Sequence, residues 1–373
     1  MSGSWSAGMR ARWAALGTRA RVLAIGLPIG ALAIVGVLAI GALTARPPVV
    51  AVASPSPAPA TPPASSPAAS PSAPPSAAPT IGLPDPLLGY DGRLTLLLLG
   101  SDYRPAHPGN RTDSIMVVSV SPADGSVAAV SIPRDIARFP LPDGTLHVDK
   151  INSLYQRVLA RVGREAAGPE MARIVGLALG VEIDSYALVG MYGLVEMIDA
   201  IGGVDVVLDR AVNDPYYWVN GHTRGVRFPA GVNHLNGARA LIFARTRKGD
   251  SDFQRVRRQQ QLVLATAEKV LDRGLSALPA LLELGRTWVR TDLPLDQATS
   301  IFELIARADL EGARRDVFGP RYATKIPGTV NYELNLEKVR DLIADWFAPV
   351  PGSPITLVPP TPSPSPMPSG AGS

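Results

Sequence analysis

The chain has 373 residues, no cysteine, 37 prolines and a formal net charge of +4, with an isoelectric point of about 9.4. The absence of cysteine excludes a disulfide framework, a Cys-ligated metal site and thiol catalysis, and the 4 histidines show no metal-binding spacing. A basic isoelectric point ordinarily indicates nucleic acid or a membrane surface as the partner, so the position of the charges matters.

The excess positive charge lies at the N-terminus. Residues 1–84 contain 5 arginines and no acidic residue, which leaves 31 basic and 32 acidic residues in the rest of the chain. The 24 uncharged residues 22–45 are long enough to cross a hydrocarbon core of about 30 Å as a helix. Four arginines precede this run and one follows it, so we predict a cytoplasmic segment over 1–21, a transmembrane helix over 22–45 and an extracytoplasmic remainder at the cell membrane. A cleaved signal peptide is the alternative, although its apolar core is usually shorter.

Two proline-rich segments flank a charge-balanced block. Residues 46–84, with 13 prolines, are predicted to be a disordered Pro/Ala/Ser linker, and residues 349–373, with 9 prolines, a disordered tail. Residues 85–348 between them are predicted to form one globular domain.

Short apolar runs open this domain. Residues 94–100 (LTLLLLG), 114–120 (SIMVVSV) and 127–133 (VAAVSIP) are predicted strands, the last two joined by a Pro-Ala-Asp-Gly turn. Further strands are predicted at 183–189, 204–208 and 240–244, and helices at 152–162, 169–179, 191–201, 251–271, 295–308 and 336–347. The irregular alternation predicts an α/β fold with a mixed central sheet covered by helices.

Charged residues follow the first three strands at one edge of the predicted sheet. If neighbouring strands alternate in direction, the end of the first, the start of the second and the end of the third meet there. The residues concerned are Asp102, Arg104, Arg111, Asp113, Arg134 and Asp135. Carboxylates suit Mg²⁺ completed by phosphate oxygens, and arginine matches phosphate geometry, so the set favours a metal–pyrophosphate site. A surface salt-bridge network is the alternative.

A second basic cluster begins at Arg245. Arg245 and Arg247 would share a face if the strand predicted at 240–244 continued, and Ser251 begins a helix with a capping-box pattern. On that helix Arg255, Arg258 and Gln259 share one face. The cluster favours an anion site near a helix N-terminus, with a solvated basic face as the alternative.

The order of these motifs resembles the LytR-CpsA-Psr (LCP) family over about residues 94–272. The motifs are LLGSDxR (98–104), RTDS (111–114), SIPRD (131–135), KIN (150–152), IGGVD (201–205), HLNGxxAL (234–241), RxR (245–247) and DFxRxxRQQ (252–260). Residues 209–227 depart from the family pattern.

The resemblance implies an α/β/α-type domain that transfers a glycopolymer from a polyprenyl-pyrophosphate carrier to a peptidoglycan hydroxyl, with Mg²⁺, or alternatively Mn²⁺, as cofactor. It implies metal binding by Asp102 and Asp113, and catalytic roles for Arg111, Asp113, Arg134 and Asp135. It implies pyrophosphate binding by Arg104, Arg111, Arg134, Arg245, Arg247, Arg255, Arg258, Gln259 and Gln260. Which glutamine is the equivalent one, and which Asp accepts the hydroxyl proton, stay open.

Three other functions are weighed against this one. The same site could hydrolyse a polyprenyl-pyrophosphate sugar, with water as the nucleophile, or the domain could be a non-catalytic regulator of wall synthesis. A nucleic-acid partner is disfavoured, because the chain beyond residue 84 has a net charge of −1 and is predicted to lie outside the cytoplasm. The expected partners are the lipid-linked glycopolymer, peptidoglycan and the cytoplasmic membrane.

Overall fold

A computed structural model describes residues 85, 87–103, 110–219, 223–247, 251–294, 297–351 and 353. The predicted cytoplasmic segment, the predicted transmembrane helix, the whole of the predicted linker and most of the predicted tail lie outside these ranges. Within them, every helix is too short or too polar to cross a lipid bilayer.

A six-stranded mixed sheet forms the centre of the molecule. Its strands are β1 (Leu94–Ser101), β2 (Thr112–Val120), β3 (Val127–Ser131), β6 (Ser185–Gly190), β11 (Val289–Thr291) and β12 (Arg314–Val317), in the order β11-β6-β1-β2-β3-β12. β2 is antiparallel to β1 and β3, whereas β6 is parallel to β1 and β12 is parallel to β3. All residues of β1, β2 and β3 are buried, because the sheet is covered on both faces.

The other strands form four small two-stranded sheets. They are β4 (Phe139–Pro140) with β5 (Leu146–His147), β7 (Val204–Leu208) with β10 (Gly231–Leu235), β8 (Val212–Trp218) with β9 (Arg224–Phe228), and β13 (Ala323–Lys325) with β14 (Tyr332–Leu334). The β8–β9 pair is a hairpin that covers most of the segment 209–227, which departs from the family pattern, and ends at Phe228.

Helices cover the two faces of the sheet and create two hydrophobic cores. The seven described helices are α1 (Leu154–Leu179), α2 (Met191–Ala200), α3 (Gly237–Arg245), α4 (Asp252–Arg273), α5 (Leu278–Trp288), α6 (Ala298–Ala306) and α7 (Leu336–Trp346). Leu97 and Leu99 of β1 pack with α1 and α7, whereas Leu96 and Leu98 pack with α2 to α6 on the opposite face. The alternation of side chains along a strand thus divides one apolar run between two cores. The predicted mixed sheet between helices is confirmed.

Three predicted elements differ from the structure. The strand predicted at 240–244 is wrong, because these residues lie within helix α3, with Ala240, Phe243 and Ala244 buried at helical spacing. The helices predicted at 152–162 and 169–179 belong to one helical run interrupted at Gly163, which adopts a φ of 80° that glycine tolerates.

Asp184 should make stability depend on pH. Its Oδ2 accepts the Thr95 N–H at 2.7 Å, and burial raises its pKa from 3.8 to about 8, with the Asp91 and Glu182 carboxylates adding to the shift. Because the folded pKa exceeds the unfolded value, this carboxyl should lower the free energy of unfolding as pH rises from about 4 to about 8. We expect Asp184→Asn to be more stable than the wild type by a few kcal/mol at pH 8 and equal to it near pH 4.

Urea unfolding of both proteins at several pH values measures this difference. Asp143→Asn is the control. Hydrogen bonds from Thr145 lower the pKa of the exposed Asp143 carboxyl, so this variant should not gain stability over the wild type as the pH rises. A difference between Asp184→Asn and the wild type that stayed constant from pH 4 to pH 8 would contradict the assignment.

Candidate functional site

The ends of β1, β2 and β3 meet at one edge of the sheet, as the sequence predicts. Ser101 at the end of β1 pairs with Thr112 at the start of β2. The Ile132 N–H donates to Ile115 O at 2.9 Å, so β3 leaves the sheet beside the same residues. Asp102 follows Ser101, Asp113 interrupts the β1–β2 pairing, and Arg134 follows the end of β3. The three residues therefore lie at the same edge of the sheet.

Asp113 occupies a β-bulge. Gly100 pairs with Ser114 and Ser101 with Thr112, so Asp113 is the extra residue of β2. Such a bulge changes the direction of a side chain near the end of a strand. The Asp113 side chain is buried. Its Oδ1 accepts hydrogen bonds from Asn152 Nδ2 at 2.7 Å and from Arg134 Nη1 at 3.4 Å. The amide and the guanidinium hold this carboxylate in one orientation.

Asp102 and Arg111 close the loop that joins β1 and β2. Asp102 Oδ1 accepts the Arg111 N–H at 2.7 Å, and the Asp102 N–H donates to Arg111 O at 3.0 Å. The Arg111 side chain is exposed, whereas Asp102 is half-buried. Arg104, the remaining arginine predicted in this loop, lies outside the described residues.

A carboxylate at the start of α4 lies among three arginines. Asp252 binds Arg255 through two contacts of 2.7 and 2.9 Å, and its Oδ1 lies 3.8 Å from Arg247 Nε and 3.9 Å from Arg134 Nε. The helix begins here because Ser251 Oγ accepts the Gln254 N–H at 3.3 Å, which caps the first turn. Asp252 thus joins the arginine from the β3 edge to those around the α4 N-terminus.

Arg255 is a fully buried cation. Burial lowers its pKa from 12.5 to about 10, while the Asp252 carboxylate opposes that change and Arg134 adds to it. The guanidinium therefore stays charged at neutral pH. The alternative of a solvated basic face is wrong for Arg255, which is 0% exposed, and for Arg258, which is 5% exposed.

Arg245 and Arg247 lie at the end of α3 and not on a strand. Arg245 is the last residue of the helix, and Thr246 turns the chain into an extended conformation. The expectation that they share a strand face is therefore wrong. Asp214 of β8 fixes this turn, because its Oδ2 accepts from Thr246 Oγ1 at 2.6 Å and from the Arg247 N–H at 3.1 Å.

Three polar side chains of α4 point into the protein. Arg258 Nε donates to Phe243 O at 3.2 Å and its Nη2 donates to Thr246 O, while Gln259 Nε2 donates to Ala244 O at 3.2 Å. Gln260 Nε2 donates to Ser131 Oγ at 2.9 Å and Asp316 O at 2.8 Å. These bonds attach α4 to the C-terminal carbonyls of α3 and to the sheet. Pyrophosphate binding by these three side chains stays a prediction.

The contacts of Arg258 lead us to expect a larger effect on stability than on substrate affinity. Arg258→Met should lower the free energy of unfolding by about 1.5–3 kcal/mol, because two main-chain carbonyls lose a charged donor. The Michaelis constant for the donor substrate should change less than about threefold. Urea unfolding and initial rates measure the two effects, and an increase in the Michaelis constant of tenfold or more without loss of stability would establish direct binding.

Four residues near the site were given no role by the sequence. Asn152 holds Asp113, Lys150 forms an ion pair with Asp135, Asp252 joins the arginines, and Asp214 holds the Arg247 segment. Lys150 and Asn152 belong to the KIN motif and Asp252 to the DFxRxxRQQ motif, and membership of these motifs was the sequence signal that could have identified them. Asp214 had none, because its partners lie 32 and 33 residues away in the chain.

The carboxylates fit a metal ion only if phosphate oxygens complete its ligands. In the described part of the chain, no group of three His, Cys, Asp or Glu side chains could hold an ion. Asp102 and Asp113 flank the Ser101–Thr112 pair, and the buried Thr112 Oγ1 has no hydrogen-bond partner among the described residues. Mg²⁺ is commonly held by one or two carboxylates with waters and substrate phosphates, so this donor set fits it.

Comparisons with known proteins agree with the motifs. Residues 75–315 match the LytR_cpsA_psr family. The cell wall biosynthesis protein LcpA of Corynebacterium glutamicum is 30% identical over 280 residues, 65% of this chain and 52% of LcpA. The polyisoprenyl-teichoic acid–peptidoglycan teichoic acid transferase TagU of Bacillus mycoides is 36% identical over 208 residues, 55% of this chain and 62% of TagU.

The fold is also similar to a solved structure. The crystal structure of B. subtilis TagV superposes with a TM-score of 0.54 and 26% identity, covering 70% of this chain and 99% of that chain. The chain spans only about half of LcpA and less than two thirds of TagU.

Proposed function

Because the chain belongs to the LytR-CpsA-Psr family, we propose that it transfers a cell-wall glycopolymer from a polyprenyl-pyrophosphate carrier to a hydroxyl group of peptidoglycan. The observation that carries the proposal is the cluster of Arg134, Arg247 and Arg255 around Asp252, next to the bulge that holds Asp113. These three guanidinium groups contact two carboxylates, Asp252 and Asp113, which leaves one positive charge in excess. That excess suits a pyrophosphate, whose oxygens can take up the unused donors.

In the proposed reaction the peptidoglycan hydroxyl attacks the phosphorus that carries the polymer. A new phosphodiester bond forms, the bond between the two phosphates breaks, and polyprenyl monophosphate leaves. The hydroxyl proton passes to a carboxylate, for which Asp102, Asp113 and Asp135 are the candidates. The chemistry requires mainly positioning and neutralisation of the charge on the leaving phosphate.

Each arginine has a distinct task in this scheme. Arg134 Nε is buried without a hydrogen-bond acceptor among the described residues and is available to a phosphate oxygen. Arg255 is fixed by Asp252 and contributes charge from beneath the site, while the 44% exposed Arg247 side chain can reach the ligand. Positive groups held in place before the reaction stabilise developing negative charge at little reorganisation cost.

Asp102 and Asp113 are the proposed ligands of Mg²⁺, with Mn²⁺ as a substitute. The ion would neutralise charge on the phosphates when it is bound. Asn152 and Arg134 would keep Asp113 oriented in its absence, because both contact Oδ1. This assignment rests on the donor set and the family membership.

The placement of the chain is also a proposal. We assign residues 1–21 to the cytoplasm, 22–45 to a membrane anchor, and the domain to the outer side of the cytoplasmic membrane, where peptidoglycan is accessible. The arginines before residue 22 and the uncharged run after them support this orientation.

Product analysis tests the proposed reaction. The full-length chain in detergent is incubated with a polyprenyl-pyrophosphate glycopolymer, Mg²⁺ and peptidoglycan fragments, and the products are separated by size and charge. We expect a phosphodiester-linked conjugate that requires the peptidoglycan acceptor. Release of free polymer at the same rate with or without acceptor would instead indicate the hydrolase, and an absence of both products would favour the non-catalytic regulator.

A further inference from the structure

The β8–β9 hairpin exposes two aromatic side chains around an arginine. Tyr216 and Trp218 are 56% and 41% exposed, so both rings are open to solvent. The Arg224 Cζ lies 4.9 Å from the centroid of the Tyr216 ring and 5.7 Å from that of Trp218. These cation–π contacts hold both rings on the surface in a fixed arrangement.

The inner side of the same hairpin is attached to the arginine segment of the site. Asp214 is 1% exposed and binds Thr246 Oγ1 and the Arg247 N–H. Burial raises the pKa of the half-buried Tyr217 phenol, and the charged groups near it are Arg245 and Asp214. The pairing of β8 with β9 is irregular between Asp214 and Trp218, which lets Asp214 face inward and both Tyr216 and Trp218 face outward.

The charge of the outer surface is positive. In the described part of the hairpin, residues 212–219 and 223–228, Arg224 and Arg227 are exposed, and the single carboxylate, Asp214, is buried on the inner side. Arg239 of α3 lies beside them, because its Nη2 donates to Arg227 O at 3.4 Å and its guanidinium stacks on Phe228. Aromatic faces and guanidinium groups are thus presented together.

We propose that this outer surface, formed by Tyr216, Trp218, Arg224 and Arg227, binds the anionic glycan chain of the donor where it leaves the pyrophosphate site. The flat C–H faces of sugar rings stack on aromatic rings, and the arginines pair with phosphate or carboxylate groups along the chain. The inference rests on the proposed function. Tyr216 and Trp218 follow Asp214 by about 7 and 13 Å of strand, so a few sugar units would span the gap from Arg247 to the rings.

A lipid bilayer fits this surface less well. The aliphatic residues of the described hairpin, Val212, Val219 and Val226, are all partly buried, so residues 212–219 and 223–228 contain no fully exposed aliphatic side chain. A segment that enters a membrane presents aliphatic side chains with its aromatic residues. The surface therefore suits a polar chain with ring faces.

Binding of a lipid-free polymer tests the proposal without requiring turnover. Fluorescently labelled teichoic acid is titrated with the full-length chain in detergent, and polyphosphate is the matched probe that has charge without sugar rings. We expect Trp218→Ala and Tyr216→Ala each to weaken teichoic acid binding about tenfold and to leave polyphosphate binding unchanged. Trp218→Tyr should retain affinity within about threefold, whereas Arg224→Ala should weaken both probes.

Arg314→Ala is the matched control, because Arg314 stacks on Trp346 at 5.5 Å on another part of the surface. It should change neither affinity. Equal effects of Trp218→Ala on the two probes, or no effect on either, would overturn the proposal. A membrane contact would also overturn it. In that case brominated lipid in nanodiscs would quench part of the tryptophan fluorescence, and this part of the quenching would be lost in Trp218→Phe.

The binding test and the product analysis have separate outcomes. Teichoic acid binding that depends on Trp218, together with acceptor-independent polymer release, would support the glycan surface and reject the transferase. Acceptor-dependent transfer together with unchanged teichoic acid binding by the hairpin variants would support the transferase and reject the glycan surface.

Discussion

Replacing Asp252 with alanine is expected to lower the free energy of unfolding by about 3–5 kcal/mol. Arg255 is 0% exposed, and Asp252 is its ion-pair partner at 2.7 Å. Removal of the carboxylate leaves a buried guanidinium beside two other arginines, Arg134 and Arg247, with which it shares that carboxylate. The desolvation cost and the repulsion then lack compensation, and urea unfolding measures the loss.

The double variant Asp252→Ala/Arg255→Met separates charge from packing. It should recover much of the stability, because methionine occupies the buried position without a charge. Glu303→Ala is the control, since Glu303 forms an exposed pair with Arg307 at 3.8 Å and should cost less than about 1 kcal/mol. A loss of less than about 1 kcal/mol for Asp252→Ala would show that the buried pair contributes little.

Replacing Arg134 with alanine is expected to lower kcat/KM for polymer transfer by about 10²–10³. Its Nη1 lies 3.4 Å from Asp113 Oδ1, and its Nε is buried without a hydrogen-bond acceptor among the described residues. The variant loses both a phosphate donor and one of the two groups that orient Asp113. Arg134→Lys should recover only a small part, because an ammonium group cannot bind Asp113 and a phosphate oxygen in the same planar geometry.

The accompanying stability measurement distinguishes a role in catalysis from one in folding. Arg134 is 18% exposed and its two ion pairs are long, so Arg134→Ala should change the free energy of unfolding by less than about 1 kcal/mol. Arg307→Ala is the control, because it removes a 79% exposed arginine at the C-terminal end of α6, and it should retain full activity. Retention of at least half of wild-type kcat/KM by Arg134→Ala would remove this residue from the proposed mechanism.

The sheet edge shows where sequence patterns were sufficient. The runs 94–100, 114–120 and 127–133 are strongly apolar, and the turn between the last two forces an antiparallel pair. Alternating directions then place the ends of β1 and β3 beside the start of β2 without knowledge of the remaining strands. The bulge at Asp113 was not predictable, because it depends on the register of β1 against β2.

Helix α3 shows where local patterns failed. Residues 240–244 are a short apolar run, and such a run is compatible with either a strand or a buried helix. The side chain of Asn236 accepts the Arg239 N–H at 2.9 Å and caps this helix, while Arg258 and Gln259 donate to its last carbonyls. The helix is thus completed by side chains of α4, which lie 15 residues beyond the carbonyls they bind and outside the apolar run itself.

The sequence by itself determined the family, the mixed sheet and the edge at which Asp102, Asp113 and Arg134 meet. The ordered motifs identified the family by resemblance, whereas hydrophobic periodicity and short turns predicted the sheet and its edge, because these patterns act between neighbours in the chain. Only the tertiary structure decided that Arg255 and Arg258 are buried, that Asp252 joins three arginines, and that Asp214 attaches an aromatic hairpin to Arg247. The burial and pairing of charges depend on contacts between distant segments, and the residue types alone do not specify these contacts.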